Sequence, residues 1–583
     1  MKRALTLPVL LFLCACGVTD KTSSTRKDDC PPPPGRLTIE SSGKQGGTLH
    51  YTLPGDPSSF NFAMAANTRT RLVTSLTTAT LLEFDPQAQR VKGGITEEWT
   101  VSDDARKVTL TLRQGVRFSD GRPLSSRDVV FTFQKIYEPG SKNPLRNSLM
   151  VAGKPLEARA LNERSVEVRF PKPYAAAEYI LTTIPVLPEH RFQAGEKKIE
   201  DYWNLETRPE EMAGLGPFVV AEHLPGQLTR FRYNPQYWKF DEKGTRLPYL
   251  DEIVIHYIED RNGQLLRFQA GELDLLGSQL RPEDYLQLRG EDGIRVFDAG
   301  PSSALTFFWL NLNTGNDPKT GNPYVPAEKR NWFSDLTFRR AVDTAISRDT
   351  IVKNVFLGKA RAAWALVPSS IPAWYVDEIQ RYPHDPGRAR QLLKQAGFSW
   401  KREGGQEFLV DRKGRRVEFE ILTRADKVFG KIAAVLQQDL EKVGMHVSIK
   451  QEELRSVISR ITRSRNYDSA LLSLDFPYDP ADHVNVLLSS SPMHFWNPSQ
   501  PTPVSSWEKR IDELALKQVT TLNLQDRQRI YGEVQKILAE KVPIVPLVNG
   551  SVLIAAKSRV NNLKPVNLFP FALWNVWELW LTP

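Results

Sequence analysis

Cysteine is scarce in this 583-residue chain: its three cysteines, Cys14, Cys16 and Cys30, all lie near the amino terminus. The rest of the chain can form no disulfide framework, and a chain of this size does not need one. It also has no thiol that could act as a catalytic nucleophile. Cys30 is expected to be a free thiol, with pairing between two molecules as the alternative.

Sequence motifs that carry catalytic chemistry are also missing. There is no Gly-x-Ser-x-Gly turn, no His-Glu-x-x-His zinc motif and no phosphate-binding P-loop. The eight histidines are scattered, and none lies three or four residues from another, so no helical metal pair is expected. We therefore expect a protein without a metal or other cofactor. An enzyme is a minor alternative, because catalytic groups can converge from distant positions.

Basic residues are in modest excess but form no long run. Lys and Arg number 77 against 68 Asp and Glu, which gives a formal net charge of +9. Zinc-finger spacing and RNA-binding signatures are missing, so nucleic acid is not an expected partner. The hydrophobic content of 40% and charged content of 25% are typical of a soluble globular protein.

The amino terminus carries a short, strongly apolar stretch. A positive start at Lys2 and Arg3 precedes an apolar stretch, residues 5–13, that is too short to span a bilayer as a helix. Residues 1–15 are therefore predicted to be a signal peptide. The segment Leu-Cys-Ala-Cys ending at Cys16 resembles a bacterial lipobox, which implies a lipid-modified Cys16 that anchors the protein to a membrane. An ordinary secretory signal is the alternative.

A polar segment separates this signal from the predicted folded body. Residues 16–46 are rich in Ser, Thr, Lys, Asp, Gly and Pro, and residues 31–34 are consecutive prolines. Proline runs favour a stiff, extended backbone. We expect a tether here, with the body starting at Gly47.

Periodicity in the body predicts mixed strands and helices. Residues 108–112 alternate apolar and polar side chains like a half-buried strand. Ser125 followed by Asp128 is typical of a helix start. Residues 338–346 and 428–443 place apolar side chains on one helical face. The pattern indicates an α/β fold.

Several motifs in order along the chain resemble a known family. The block 97–133, with Asp120-Gly121 and Asp128-Val-Val-Phe, resembles the signature of the extracellular solute-binding proteins of family 5. That family contains the oligopeptide-, dipeptide- and nickel-binding components of ABC importers. The other matching segments are Gly214-Leu-Gly-Pro-Phe218, Asn234-Pro-Gln-Tyr-Trp238, Ala270-Gly-Glu-Leu-Asp274, residues 338–349, residues 385–397 and Val542-Pro-Ile-Val-Pro-Leu547.

The resemblance implies a two-lobed, periplasmic-binding-protein-like α/β fold with a hinge and an extra subdomain in the first lobe. The implied first lobe comprises three segments, 47–72, 205–300 and 545–583. The implied subdomain is 73–204 and the second lobe is 301–544. The family's function implies a monomer that captures ligand in the interlobe cleft and is not an enzyme.

The best candidate for a ligand site is the loop that follows the apolar run at 470–472. In peptide-binding members of the family, a segment similar to this loop supplies an Asp that pairs with the peptide's ammonium group. Asp475 fits that role, and Asp479 with Pro480 matches the Asp-Pro of the pattern, although one more residue separates the two Asp than in the common pattern and the usual upstream Trp is missing. Asp479 and Tyr478 are further candidates for ligand contact. Asp56, in a turn near the implied cleft, is a further candidate.

Two further alternatives remain open at this point. His483 and His494 lie near the loop, and nickel-binding relatives use His, so a metal–chelate ligand is conceivable. The same fold could also serve a receptor or adaptor in signalling or envelope assembly, because fold does not fix function. The leading expectation is a lipoprotein of the cell envelope, facing the periplasm or exterior, that delivers peptides or similar small solutes to an ABC permease.

Overall fold

The computed structural model describes residues 30–583 except 66, 193–197 and 278–279. The predicted signal peptide and the predicted lipid site Cys16 lie outside the described residues. Within the described ranges, no helix is both long and apolar enough to cross a membrane.

The elements up to residue 257 build most of the first lobe and its subdomain. In chain order they are β1 (Leu37–Ile39), β2 (Thr48–Leu53), α1 (Thr68–Thr77), β3 (Leu82–Asp85), β4 (Arg90–Gly93), β5 (Thr96–Val101), β6 (Lys107–Leu112), α2 (Ser126–Ile136), α3 (Leu145–Ser148), β7 (Glu157–Ala160), β8 (Ser165–Arg169), α4 (Ala177–Leu181), β9 (Phe218–Leu224), β10 (Leu228–Tyr233), β11 (Lys239–Asp241) and β12 (Glu252–Tyr257).

The remaining elements complete the first lobe and form the second. They are α5 (Arg261–Gln269), α6 (Pro282–Leu288), β13 (Ile294–Pro301), β14 (Ala304–Leu310), α7 (Ala327–Ser334), α8 (Leu336–Ala345), α9 (Arg348–Asn354), β15 (Ala360–Ala362), α10 (Pro386–Gln395), β16 (Ser399–Glu403), β17 (Gln406–Val410), β18 (Glu418–Arg424), α11 (Lys427–Lys442), β19 (His446–Glu452), α12 (Leu454–Ser459), β20 (Ser469–Asp475), α13 (Val484–Leu487), α14 (Ser506–Thr520), α15 (Leu524–Lys541), β21 (Val545–Lys557), β22 (Val560–Asn561) and β23 (Trp580–Leu581).

The second lobe is a sheet covered by helices on both faces. Its strands run in the order β21, β14, β20, β18 and β19, and β14 alternates its large side chains between two cores. Phe308 and Leu310 pack towards the core that contains α8 and α11. Phe307 and Trp309 pack towards the core that contains α14 and α15. A strand buried on both faces has a nearly continuous apolar sequence, as β14 does.

The first lobe contains the sheet β2-β12-β10-β9, and its subdomain contains the sheet β5-β6-β8-β7. The subdomain sheet packs on α2. The predicted strand at residues 108–112 and the predicted helix start at Ser125 are observed in β6 and α2. The backbone N–H of Ser125 donates to the Asp128 carboxylate at 2.9 Å, which fixes the helix start. The block 97–133 is thus a strand, a turn and a helix of the scaffold.

Two backbone crossings join the lobes. The chain passes from β13 to β14 through residues 302–303. Strand β21 belongs to both sheets: Val545 and Val548 pair with β14, whereas Ser551 to Lys557 pair with β13. The predicted boundary before residue 545 therefore coincides with the start of β21. The strand itself passes from the second lobe to the first between Val548 and Ser551.

Residues 30–46 correct the predicted tether, because this part of the segment lies against the folded body. Strand β1 pairs in parallel with β11. Gly43 lies so close to Tyr249 that a Cβ added to the glycine would be 2.6 Å from the tyrosine ring. The carbonyl of Cys30 accepts a hydrogen bond of 2.5 Å from the Arg246 side chain. The body therefore begins by residue 30, not at Gly47.

The subdomain boundary also differs from the predicted 73–204. Leu187, Phe192, Ile199 and Trp203 are buried in the first-lobe core. They belong with the first lobe because their apolar surface is covered there. Within the predicted range 73–204, the last residue buried in the subdomain core is Val186.

Candidate functional site

A cavity of about 1340 Å³ lies between the two lobes. It exceeds the 300–1,000 Å³ that is usual for drug-sized ligands. Helix α1 and residues 568–577 of the first lobe form one side, the subdomain around Phe84 and Tyr179 another, and residues 475–488 of the second lobe face them. The space can therefore hold a ligand larger than a single amino acid.

The lobes touch around this cavity. The side-chain amide of Gln89, in the turn between β3 and β4, donates to the carbonyl of Ser370 at 2.8 Å. The backbone N–H of Ala175 donates to the carbonyl of Val519 at 2.8 Å. These contacts join the subdomain to the second lobe at the rim of the cavity.

Asp475 ends β20 and lines the cavity. Its backbone pairs with Ala304, and the N–H of the next residue, Phe476, donates to the carbonyl of Ser303 at 2.9 Å. These contacts hold the loop start rigidly. In the described part of the chain, the Asp475 carboxylate has neither a hydrogen-bond donor nor a cationic partner.

Tyr478 lines the cavity and links the lobes. Its hydroxyl donates to the carbonyl of Gln89 in the subdomain. Its ring lies 4.4 Å from that of Phe84 and 5.8 Å from that of Tyr179, measured between centroids. Tyr478 thus supplies both an apolar wall and a contact between the second lobe and the subdomain.

Asp479, by contrast, lies behind the cavity wall. It forms a two-pronged ion pair with Arg527 of α15, at 2.6 and 3.0 Å, and both side chains are buried. It also accepts a bond of 2.9 Å from the N–H of Ala481 and so caps the turn Pro480–His483. Because its oxygens are occupied by these partners, Asp479 positions the loop and is absent from the cavity lining.

Asp482 is a cavity-lining carboxyl that the sequence did not single out. The hydroxyl of Tyr174, from the subdomain, lies 3.4 Å from its Oδ1. Its side chain is solvent-accessible and faces the cavity. Burial raises the pKa of Asp482 to about 7, and the nearby Asp479 carboxylate adds to the rise.

The two histidines near the loop lie in different surroundings. His483 lines the cavity beside Phe476, at 5.1 Å between ring centroids. Burial lowers the pKa of His483 to about 4, so its ring is neutral at neutral pH. His494 is fully buried beside Glu508, at 3.4 Å, and does not line the cavity. Among the described residues, no group of three or more His, Cys, Asp or Glu could hold a metal ion.

The opposite side of the cavity carries two cations, Arg71 on α1 and Lys172 in the subdomain. Arg71 lies over the Phe569 ring, 5.0 Å from its centroid, and donates weakly to the Thr68 hydroxyl at 3.4 Å. Neither cation is paired with a carboxylate in the part of the chain that the structure describes. The other charged lining residues on this side are paired with protein groups: Glu83 with Lys239 at 2.8 Å and Lys92 with Asp85 at 3.0 Å.

Asp56 is not part of the lining. Its carboxylate accepts from the backbone N–H of Gly226 at 3.0 and 3.2 Å and lies 3.9 Å from Nε2 of His223. It therefore fastens the turn after β2 to the β9–β10 hairpin. Two residues of the cavity lining, Asp475 and Tyr478, are candidates that the sequence predicts. Asp482 and Arg71 also line the cavity and are not predicted from the sequence.

The fold and its interlobe cavity define a class, the two-lobed solute-binding proteins. Residues 90–494 match the family model "Bacterial extracellular solute-binding proteins, family 5 Middle", and the chain belongs to this family. The predicted fold class and family are confirmed, as is the expectation of a binding protein instead of an enzyme.

Relatives cover most of the chain. The probable ABC transporter-binding protein of Deinococcus radiodurans is 25% identical over 83% of this chain and 84% of its own length. The oligopeptide-binding protein AppA of Bacillus subtilis is 25% identical over 79% of this chain and 77% of its own. The crystal structure of the ABC transporter substrate-binding protein CtaP of Listeria monocytogenes has a TM-score of 0.75 at 23% identity, covering 93% of this chain and 100% of that chain. AppA in complex with a nonapeptide has a TM-score of 0.70 at 21% identity, covering 93% and 100%.

Proposed function

We propose that this protein captures peptides in the interlobe cavity and delivers them to an ABC permease. The observation that carries the proposal is the distribution of charge in the cavity. An unpaired carboxylate, Asp475, lines the second-lobe wall, and an unpaired guanidinium, Arg71, lines the first-lobe wall. A peptide presents the complementary pair, an ammonium group at one end and a carboxylate at the other.

Asp475 would bind the peptide's ammonium group. The Asp475 side chain is solvent-accessible and has no counter-charge within the described residues, so it is available for a charge-assisted hydrogen bond with the ammonium group. Arg71 would bind the carboxylate with the planar fork of its guanidinium. The large volume and the aromatic walls, which include Tyr478 and Phe84, would accommodate side chains of several kinds.

Capture would be coupled to hinge closure. Ligand groups that bind opposite lobes interact fully only when the lobes are together, so the ligand favours the closed state by its differential affinity. The contacts of Tyr478 with Gln89 and of Ala175 with Val519 would belong to that state. The permease would recognise the closed form. A lipid on Cys16 would keep the protein beside the permease at the outer face of a membrane.

The proposal is tested by calorimetric titration of short peptides with a free or an acetylated amino terminus. Asp475→Ala should weaken binding of free-amine peptides by about 2 kcal/mol or more, roughly thirtyfold, because it removes one partner of a charge pair that ligand binding would desolvate. Acetylated peptides should bind the variant and the parent equally. Asp56→Ala is the matched control, because Asp56 lies outside the lining, and it should leave both affinities unchanged. Equal losses for the two peptide classes in Asp475→Ala would contradict the assigned role.

A further inference from the structure

Asp482 is a second carboxyl in the cavity for which the structure shows no counter-charge. The nearest cation, Arg527, is bound in two-pronged fashion to Asp479 and also donates to Gln518. Among the described residues, no Lys or Arg lies within ion-pair distance of Asp482. A carboxyl that lines a cavity without an internal counter-charge is available to pair with a cationic group of a ligand.

The two free carboxyls have separate places on the loop. Asp475 is the last residue of β20, whereas Asp482 lies in the turn Pro480–His483 against the subdomain. One ammonium group satisfies one of them. If the ligand is a peptide bound through its amino terminus at Asp475, then Asp482 remains for another group.

We propose that Asp482 binds a second cationic group, the side chain of a Lys or Arg in the bound peptide, so that the cavity selects basic peptides. This proposal rests on the proposed peptide-binding function and adds a substrate class to it.

The surroundings of Asp482 suit such a group. The hydroxyl of Tyr174 lies at 3.4 Å from Asp482, and Tyr174 belongs to the subdomain across the cleft. Tyr179 lines the same region. An ammonium or guanidinium group bound here would contact a carboxylate of one lobe and tyrosine rings of the other. Both contacts are favourable, because cations also bind to aromatic faces. Binding at Asp482 would therefore also help to hold the lobes together.

The charges that face Asp482 fix how binding depends on pH. They are Asp479 on its own turn and Arg527 on α15, with the neutral tyrosines of the subdomain and the neutral His483 beside it. A bound cation favours the ionised carboxylate, so binding expels the proton that the free protein holds there. The preference for a basic peptide over a neutral one should therefore rise as the pH increases from about 6 to about 8.

The test is calorimetry at pH 7 with tetrapeptides of alanine in which one residue is replaced by lysine or by norleucine, at each position after the first. Norleucine keeps the alkyl stem and lacks the ammonium group. The protein should prefer the lysine peptide at one position at least about tenfold. In buffers of different ionisation enthalpy, binding of the lysine peptide should release more protons than binding of the norleucine peptide.

Asp482→Asn is nearly isosteric and removes only the charge. It should abolish both the lysine preference and the additional proton release while norleucine peptides bind as before. Its circular dichroism and melting temperature should match those of the parent, which shows that the fold is intact. Equal affinity for lysine and norleucine peptides at every position would overturn the inference and leave peptide binding standing. Failure of every peptide to bind would instead overturn the proposed function.

Discussion

The buried pair of Asp479 and Arg527 offers the sharpest test of how the loop at the cavity is held. Arg527→Met keeps most of the apolar stem and removes the guanidinium. Four hydrogen bonds are lost, two to Asp479 and two to Gln518. Breaking a buried pair by removing one partner costs about 3–5 kcal/mol, because the remaining charge is left uncompensated. Both side chains are at least nine-tenths buried, so this range applies here.

Urea denaturation followed by tryptophan fluorescence measures the effect. Arg527→Met should lower the free energy of unfolding by about 3–5 kcal/mol, whereas Arg529→Met on the same helix should change it by less than about 1 kcal/mol. Arg529 is the matched control because its side chain is 67% exposed, although it pairs with Asp526 at 3.1 Å. The double variant Asp479→Asn/Arg527→Met should recover most of the loss. If Arg527→Met cost no more than the control, the pair would not be what fixes the loop.

Three further predictions concern lobe closure, acid stability and a glycine. Tyr478→Phe removes the hydroxyl that donates to the carbonyl of Gln89, which should favour the open form by about 0.5–1.5 kcal/mol. Small-angle X-ray scattering without ligand should then show a larger radius of gyration than for the parent. An unchanged radius would contradict the role of Tyr478 in closure. Burial raises the pKa of Asp411, but bonds from Arg415, Trp332 and the backbone outweigh it and lower that pKa to about 2. Because the folded pKa is depressed, this stabilisation of about 2 kcal/mol is present above pH 4 and is lost as the pH falls towards 2. Urea denaturation should show that the free energy of unfolding declines less steeply over this pH range in Asp411→Asn than in the parent. An unchanged slope would refute the assignment. A Cβ at Gly214 would lie 1.9 Å from the Thr77 carbonyl oxygen, so Gly214→Ala should lower the free energy of unfolding by about 1–3 kcal/mol. The control is Gly532→Ala in the middle of α15, where the nearest atom is 3.5 Å away, and it should not lower the stability. Comparable urea midpoints for the two variants would count against the close approach at Gly214.

Local sequence patterns predicted the elements whose determinants are local. Helix α11 is predicted at 428–443 and observed at Lys427–Lys442, because its apolar face and its ending at Gly444 lie within one stretch of chain. Asp426 caps its start by accepting from the N–H groups of Val428 and Phe429. Asp475 was likewise predicted to face the ligand space from its place at the end of a strand.

What the sequence did not predict depends on partners far along the chain. Residues 30–46 have the composition of a tether, but β1 pairs with β11, which lies some two hundred residues further along the chain. Asp479 and Asp482 lie on the same short loop and have the same chemistry. Arg527, 48 residues away from Asp479, neutralises one and not the other. Only the fold reveals which carboxyl is occupied and which faces the cavity.

Mass spectrometry of the small molecules released when the purified protein is denatured tests the central claim most directly. Peptides with free amino termini should be recovered, and adding such peptides to the emptied protein should raise its melting temperature. Recovery of a metal chelate or another solute, together with no thermal shift from any peptide, would contradict the claim that this cavity captures peptides.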